Sequence, residues 1–160
     1  MIGGTPFLLA ARTADAEYMA LLAELGADPL APNMDDTTPL MVAAGIGTYA
    51  PGEDPGTESE VLDAVKLALK LGGDPNAVDK YGETPMHGAA SKHVPTVVFF
   101  LADAGAKVEI YNRKDQEGFT PLEITQGIQR SMSVIRSAAT EAAIRQVMSR
   151  GGVPTAAARP

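Results

Sequence analysis

The chain has 160 residues, 45% hydrophobic and 21% charged, which suits one domain or a short repeat array and excludes a wholly disordered polypeptide. Cysteine and tryptophan are absent and only 5% of residues are aromatic; disulfides, Cys-ligated zinc, iron–sulfur clusters and a thiol nucleophile are excluded, and the core must come from small aliphatic side chains that suit closely packed helices. The net charge of −7 is uneven, with 8 bases and 19 acids over residues 1–129 but 5 bases and 1 acid over residues 130–160, so the acidic body repels phosphate backbones and disfavours nucleic acid.

In chain order, Met1 to Thr5 lacks the basic start and cleavage pattern of a signal peptide. No apolar run approaches the ~20 residues of a membrane span, so a soluble chain of unassigned compartment is expected. Thr5-Pro6 then opens TPFLLAA, and the same opening returns as TPLMVAA at Thr38, TPMHGAA at Thr84 and TPLEITQ at Thr120, at spacings of 33, 46 and 36 residues. A longer apolar segment follows each of the first three and closes on glycine: EYMALLAELGAD, EVLDAVKLALKLGGD and TVVFFLADAGAK. Threonine caps a helix N-terminus and proline at the first helical position costs no hydrogen bond. Glycine accepts the conformation that closes a helix. Polar stretches such as PNMDDT and AVDKYGET hold the residues of tight turns. One unit therefore reads as helix, turn, helix and projecting hairpin-like loop, and no unit can bury its apolar face without stacking on another.

These features together resemble the ankyrin repeat family. The resemblance covers roughly residues 3–125, with a more degenerate end to about 150. It implies an all-α repeat solenoid of helix-turn-helix units, in which hairpins and short helices line a concave face. The expected organisation is a single domain over 1–150, with repeats at about 3–33, 34–79, 80–115 and 116–150, followed by a disordered tail over 151–160.

Departures from the repeat are also predicted. Residues 45–60 form an acidic insertion in which Thr57 and Glu60 have capping-box spacing for the following helix, and Tyr49 either pins the loop or contacts a partner. A shorter insertion lengthens YNRKDQEGF, and a last helix covers Thr140–Ser149. Arg130, Arg136, Arg145 and Arg150 read as a solvated helix face. The N-terminus is abrupt, with Phe7, Leu8 and Leu9 as consecutive apolar residues.

Chemistry finds little purchase. By the resemblance His87, fourth in Thr-Pro-Met-His, hydrogen-bonds structurally near Thr84; His93 falls at a helix–helix turn. Their spacing matches no His-Glu-x-x-His motif, and the acid pairs Asp35-Asp36 and Glu53-Asp54 match neither a calcium loop nor a hydrolase pair across a cleft. GIGTYAPG lacks the Gly-Lys-Ser/Thr ending of a phosphate loop. No enzyme, metal or cofactor is expected.

Mapped onto the family pattern, the outward places are Met34, Asp35 and Thr37, then Val78, Lys80, Tyr81 and Glu83, then Tyr111, Arg113, Lys114 and Phe119, with Ser91 and Lys92 facing the same groove. The resemblance thus implies a non-catalytic protein-interaction module. It grips a partner with a basic surface through hairpin tips and the short-helix face, with Tyr81, Tyr111 and Phe119 as anchors, the alternative for Tyr111 and Phe119 being that they pack against neighbouring hairpins. A second reading is the end segment of a longer array, docking through Phe7–Leu9 on upstream repeats or on another copy and otherwise monomeric. A third, a metal-dependent hydrolase on His87 and His93, has no motif behind it.

Overall fold

A computed structural model describes residues 2–48, 51–52, 54–127 and 136–151. Tyr49, Glu53, Arg130 and the tail beyond 151 lie outside the described residues. The helices are α1 (Pro6–Arg12), α2 (Ala16–Glu24), α3 (Pro39–Ala44), α4 (Glu58–Lys70), α5 (Pro85–Lys92), α6 (Pro95–Asp103), α7 (Val108–Tyr111), α8 (Pro121–Thr125) and α9 (Ala138–Arg150), and no strand occurs among the described residues. Short helices α1, α3, α5 and α8 pack in one row, and longer helices α2, α4, α6 and α9 pack in a second row against it. This is an all-α repeat solenoid.

Local chemistry sets each helix start. Thr5 Oγ1 accepts the Leu8 amide at 3.1 Å and Thr38 Oγ1 that of Met41 at 3.3 Å. Thr120 and Glu123 form a reciprocal box, at 3.3 Å from the Glu123 amide to Thr120 Oγ1 and 2.8 Å from the Thr120 amide to Glu123 Oε2. Proline stands first in each of these helices, where its missing N–H has no partner to lose. Thr57 and Glu60 make the same box at the start of α4.

Packing follows from what comes next. Phe7, Leu40 and Met86 fill the same place after the proline, each 0–1% exposed, so truncating any of them costs about 2–5 kcal/mol. The alanine pairs Ala10-Ala11, Ala43-Ala44 and Ala89-Ala90 are also buried and let the short helices approach closely. Ala142, Gln146 and Ser149 on α9 remain exposed, as suits the end of a stack.

Two sequence expectations need correction here. Phe7 and Leu8 are fully buried in the first helix pair and cannot form a docking edge; Leu9 alone of the three is open, at 49% exposure. A helix turns about 100° per residue, so three consecutive apolar residues cannot share one face. Of the C-terminal arginines, Arg145 pairs with Glu141 at 2.8 Å. Arg150 lies 5.7 Å from the Phe99 ring centre and 3.7 Å from Asp103. Arg145 is thus half-buried in a pair within α9 rather than standing free in solvent, whereas Arg150 stays exposed beside α6, as expected.

Candidate functional site

Between successive helix pairs the chain makes a tight loop closed by an Asx side chain. Asn33 Oδ1 accepts the amides of Asp35 and Thr37, each at 2.9 Å. Asp79 Oδ1 does the same for Tyr81 and Glu83, each at 2.9 Å, and Asp115 Oδ1 accepts from the Phe119 amide at 3.0 Å. Neighbouring loops are stitched main chain to main chain, Met34 to Ile2 at 3.1 Å, Lys80 to Asp35 at 3.0 Å and Gln116 to Tyr81 at 2.7 Å. The row of loops therefore acts as one ribbon.

A groove of about 760 Å³ runs along this ribbon and the turn after α3. Asp35, Asp79, Glu83, Asp115 and Glu117 line it together with Tyr81, and among the described residues no lysine or arginine does. The field is felt by the groove's own groups. The Asp35 charge, and then the 3.3 Å hydrogen bond that Tyr81 donates to it, hold the Tyr81 phenol above its ordinary range. Burial pushes the Asp79 carboxyl up, and the Asp35 charge adds to this, against the hydrogen bonds from Glu83, Tyr81 and Thr37 that pull it down.

This shift has a sign that can be tested. A carboxyl held above its unfolded value contributes stability that is full below that value and fades as pH rises through the folded one. Asparagine keeps the acceptor and fits the same loop position, as Asn33 shows. Asp79→Asn is therefore expected to be the more stable protein at pH 7, with the gap closing as pH falls toward 4. Urea melts of both proteins at the two values check this; an Asn variant that is weaker at pH 7 overturns it.

Of the residues singled out from the sequence, Asp35, Tyr81 and Glu83 meet in the groove, and Tyr81 is 44% exposed. Met34 and Val78 are exposed at the loop tips, while Thr37 is buried and donates to Asp79 Oδ2 at 3.1 Å. Lys80 is exposed, but its ammonium caps the Met34 carbonyl and lies 3.8 Å from Asp36. Lys114 lies 3.5 Å from Glu123. Arg113 is exposed beside α7, where its Nε donates to the Glu109 carbonyl at 3.0 Å.

Four further expected contact residues are buried or half-buried. Tyr111 is 3% exposed, because one-turn helix α7 swings its ring into the core. Burial, with a smaller push from Glu109, raises that phenol to about 12. Phe119 is half-buried against the core, and Ser91 is 7% exposed on the α5 side that packs inward. Lys92 is half-buried: burial pulls its ammonium down, and the group donates to the Pro55 carbonyl at 2.9 Å. It pins the insertion, whose described part also lines a cavity with His93 and, at Gly56, comes close to Ala14 in the turn after α1. Asp54 Oδ2 is buried there without a hydrogen-bond partner.

Sequence reasoning missed Asp79, Asp115 and Glu117. The signal was present, since Asn33, Asp79 and Asp115 each stand five residues before the threonine of a Thr-Pro opening.

The histidines are structural. Nδ1 of fully buried His87 accepts the Thr84 amide at 3.2 Å and lies 2.9 Å from its hydroxyl, while Nε2 lies 3.2 Å from the Arg113 carbonyl. Since Nδ1 must accept from an N–H, the proton sits on Nε2 and is donated to Arg113. His93 closes α5 in the left-handed region at φ 61°, and burial pulls its imidazole down. Among the described residues no group of three histidine or acidic side chains could hold a metal ion.

Comparison with known proteins agrees with this architecture. The ankyrin repeat family model matches residues 81–113, the loop, α5, α6 and α7. The chain carries an ankyrin repeat at these residues. It is 35% identical over 75 residues to protein fem-1 homolog A of Bos taurus, which aligns 47% of this chain with 12% of that protein. It is 35% identical over 85 residues to the NF-kappa-B inhibitor delta of Mus musculus, covering 53% of this chain and 22% of that one. Potassium channel KOR1 of Oryza sativa subsp. japonica is 43% identical over 61 residues, 38% of this chain and 7% of the channel. The matches thus span about a fifth or less of each relative's length. Ankyrin repeats generally mediate protein–protein interaction, and nothing in the groove supports a hydrolase. No helix among the described residues is long and apolar enough to cross a membrane.

Proposed function

We propose that this ankyrin repeat chain is a non-catalytic module that binds an extended basic segment of a partner protein along its loop groove. The observation that carries the reading is the groove's one-sided charge: five carboxylates line it with Tyr81, and no lysine or arginine is among its described lining residues. Such a groove raises the local concentration of cationic side chains and accelerates their capture. Tyr81, amphipathic and 44% exposed, is the apolar anchor. One relative is by its name an inhibitor of NF-kappa-B, which is in keeping with a role exercised on another protein.

The test uses a fluorescent peptide of alternating lysine, arginine and leucine, with its glutamate-substituted counterpart as control, titrated by anisotropy. Binding of the basic peptide alone is expected, weakening as salt rises from about 50 to 500 mM, where the Debye length falls from roughly 14 to 4 Å. Tyr81→Ser with Glu117→Lys should lower affinity at least about tenfold at an unchanged melting temperature. Equal binding of both peptides, or a variant that binds as well as the parent, overturns the choice of groove.

A further inference from the structure

We infer that the groove holds a dedicated arginine subsite, in which a guanidinium of the partner segment lies flat on the Tyr81 ring and forks onto the Asp35 carboxylate. The inference rests on the proposed basic partner and names the side chain that the groove selects. It starts from how the groove's carboxylates are already engaged. Asp79 spends both oxygens within the loops, Oδ1 on the Tyr81 and Glu83 amides at 2.9 Å and Oδ2 on the Thr37 hydroxyl at 3.1 Å. Asp115 gives Oδ1 to the Phe119 amide at 3.0 Å. The Asp35 carboxylate closes no loop. Half-buried, it accepts the Tyr81 hydroxyl at 3.3 Å on Oδ1, and among the described residues nothing bonds to Oδ2.

The base beside this carboxylate in the loops is engaged elsewhere. Lys80 directly precedes Tyr81, yet its ammonium goes to the Met34 carbonyl and lies 3.8 Å from Asp36. Only its amide meets Asp35, donating to the main-chain carbonyl at 3.0 Å. Asp35 therefore keeps its charge for an incoming cation. The neighbouring Tyr81 phenol already feels that charge, which holds it above its ordinary range.

Tyr81 is held in place from three loops. Its amide donates to Asp79 Oδ1, its carbonyl accepts the Gln116 amide at 2.7 Å and its hydroxyl donates to Asp35, while 44% of the residue stays exposed. A ring fixed this way loses little freedom when a ligand settles on it. Register supplies charge on the far side. Asp35, Tyr81 and Glu117 each stand two residues after the Asx of their loop, so the row reads carboxylate, aromatic, carboxylate. A guanidinium suits this set better than an ammonium does. It is planar and weakly hydrated, stacks on an aromatic face and presents paired N–H donors that match a carboxylate. An ammonium is a compact, strongly hydrated point charge that takes the carboxylate without the ring.

The probes are two fluorescent peptides of equal charge, leucine alternating with arginine in one and with lysine in the other, titrated by anisotropy in about 150 mM salt. The parent should bind the arginine peptide about tenfold more tightly. Asp35→Asn keeps an acceptor for the Tyr81 hydroxyl, and Tyr81→Leu keeps an apolar side chain. Each should bind the two peptides equally, at an unchanged melting temperature. Asp36→Asn is the control, because the Asp36 carboxylate pairs with Lys80 and asparagine accepts the φ of 62° found there. It should keep the full preference. Equal binding of the two peptides by the parent overturns the subsite and leaves the acidic groove standing. A preference that survives Asp35→Asn or Tyr81→Leu, or that Asp36→Asn abolishes, also overturns it. If neither peptide binds the parent, the groove reading falls and the subsite with it.

Discussion

His87→Ala is expected to cost about 3–4 kcal/mol of folding free energy, well beyond the loss of an ordinary helix cap. Three consequences combine. The imidazole is 0% exposed, so its removal leaves a cavity in the middle of the stack. The Thr84 amide loses its acceptor at a buried helix start, and the Arg113 carbonyl loses a donor from the neighbouring helix pair. An orphaned buried polar group costs more than the net worth of the bond it made. Glu123→Ala removes the corresponding cap in the last pair, where the site is half-exposed and water can substitute, and about 1 kcal/mol is expected. Urea unfolding of both variants against the parent measures the contrast, with the melting temperature of the histidine variant falling by roughly 8–15 °C. Equal losses in the two variants would mean that His87 is only a cap and does not join the repeats.

The second large effect reverses the sign that helix propensity predicts. Alanine is favoured over glycine by about 1 kcal/mol in a helix interior. Gly88 lies inside α5, yet a Cβ there would stand 2.8 Å from the Ile46 nitrogen and 3.0 Å from the Gly45 nitrogen. These are backbone atoms of the preceding repeat and cannot swing aside as a side-chain tip can. Gly45 meets the contact from the other side: at φ 124°, its own Cβ would lie 2.5 Å from the Gly88 carbonyl oxygen. Gly88→Ala must therefore separate α3 from α5 and is expected to cost about 2–3 kcal/mol, with Gly88→Val worse. Gly105→Ala is the control: φ is 96° but nothing lies within 4 Å, so only backbone strain of about 1–2 kcal/mol is expected. Denaturant midpoints of the three variants decide the matter. A Gly88→Ala protein more stable than the parent would show that the helices have room there.

Helix existence and helix starts were legible in the sequence because they rest on short-range chemistry. Thr-Pro announces α1, α3, α5 and α8, and Thr57 with Glu60 announces α4, since cap and amide lie within one turn of each other. The role of His87 came from the family resemblance, and it held because its partner Thr84 is only three residues away. Of the candidate site, Asp35, Tyr81 and Glu83 were found from their places in the loops. Tyr111 was misplaced for lack of any local mark. Whether its ring points out or in depends on α7, a single turn whose direction is set by the core it closes. The same holds for Phe7 and Leu8, which differ from Leu9 only in the neighbours around the helix.

The sequence by itself determined the repeat, its helices and the acidity of the loops, because each is a matter of spacing, capping or composition. The tertiary structure alone decided which residues share a surface. It gathered Asp35, Asp79, Glu83, Asp115 and Glu117 from three loops into one groove, turned Lys92 from a contact residue into the pin of the insertion, and left Leu9, Tyr18, Leu21 and Leu25 open at one end. The physical reason is that exposure and field belong to the stack: a side chain's burial is set by the helix pair beside it, tens of residues away along the chain, and a groove's charge by the sum of loops that packing brings into register.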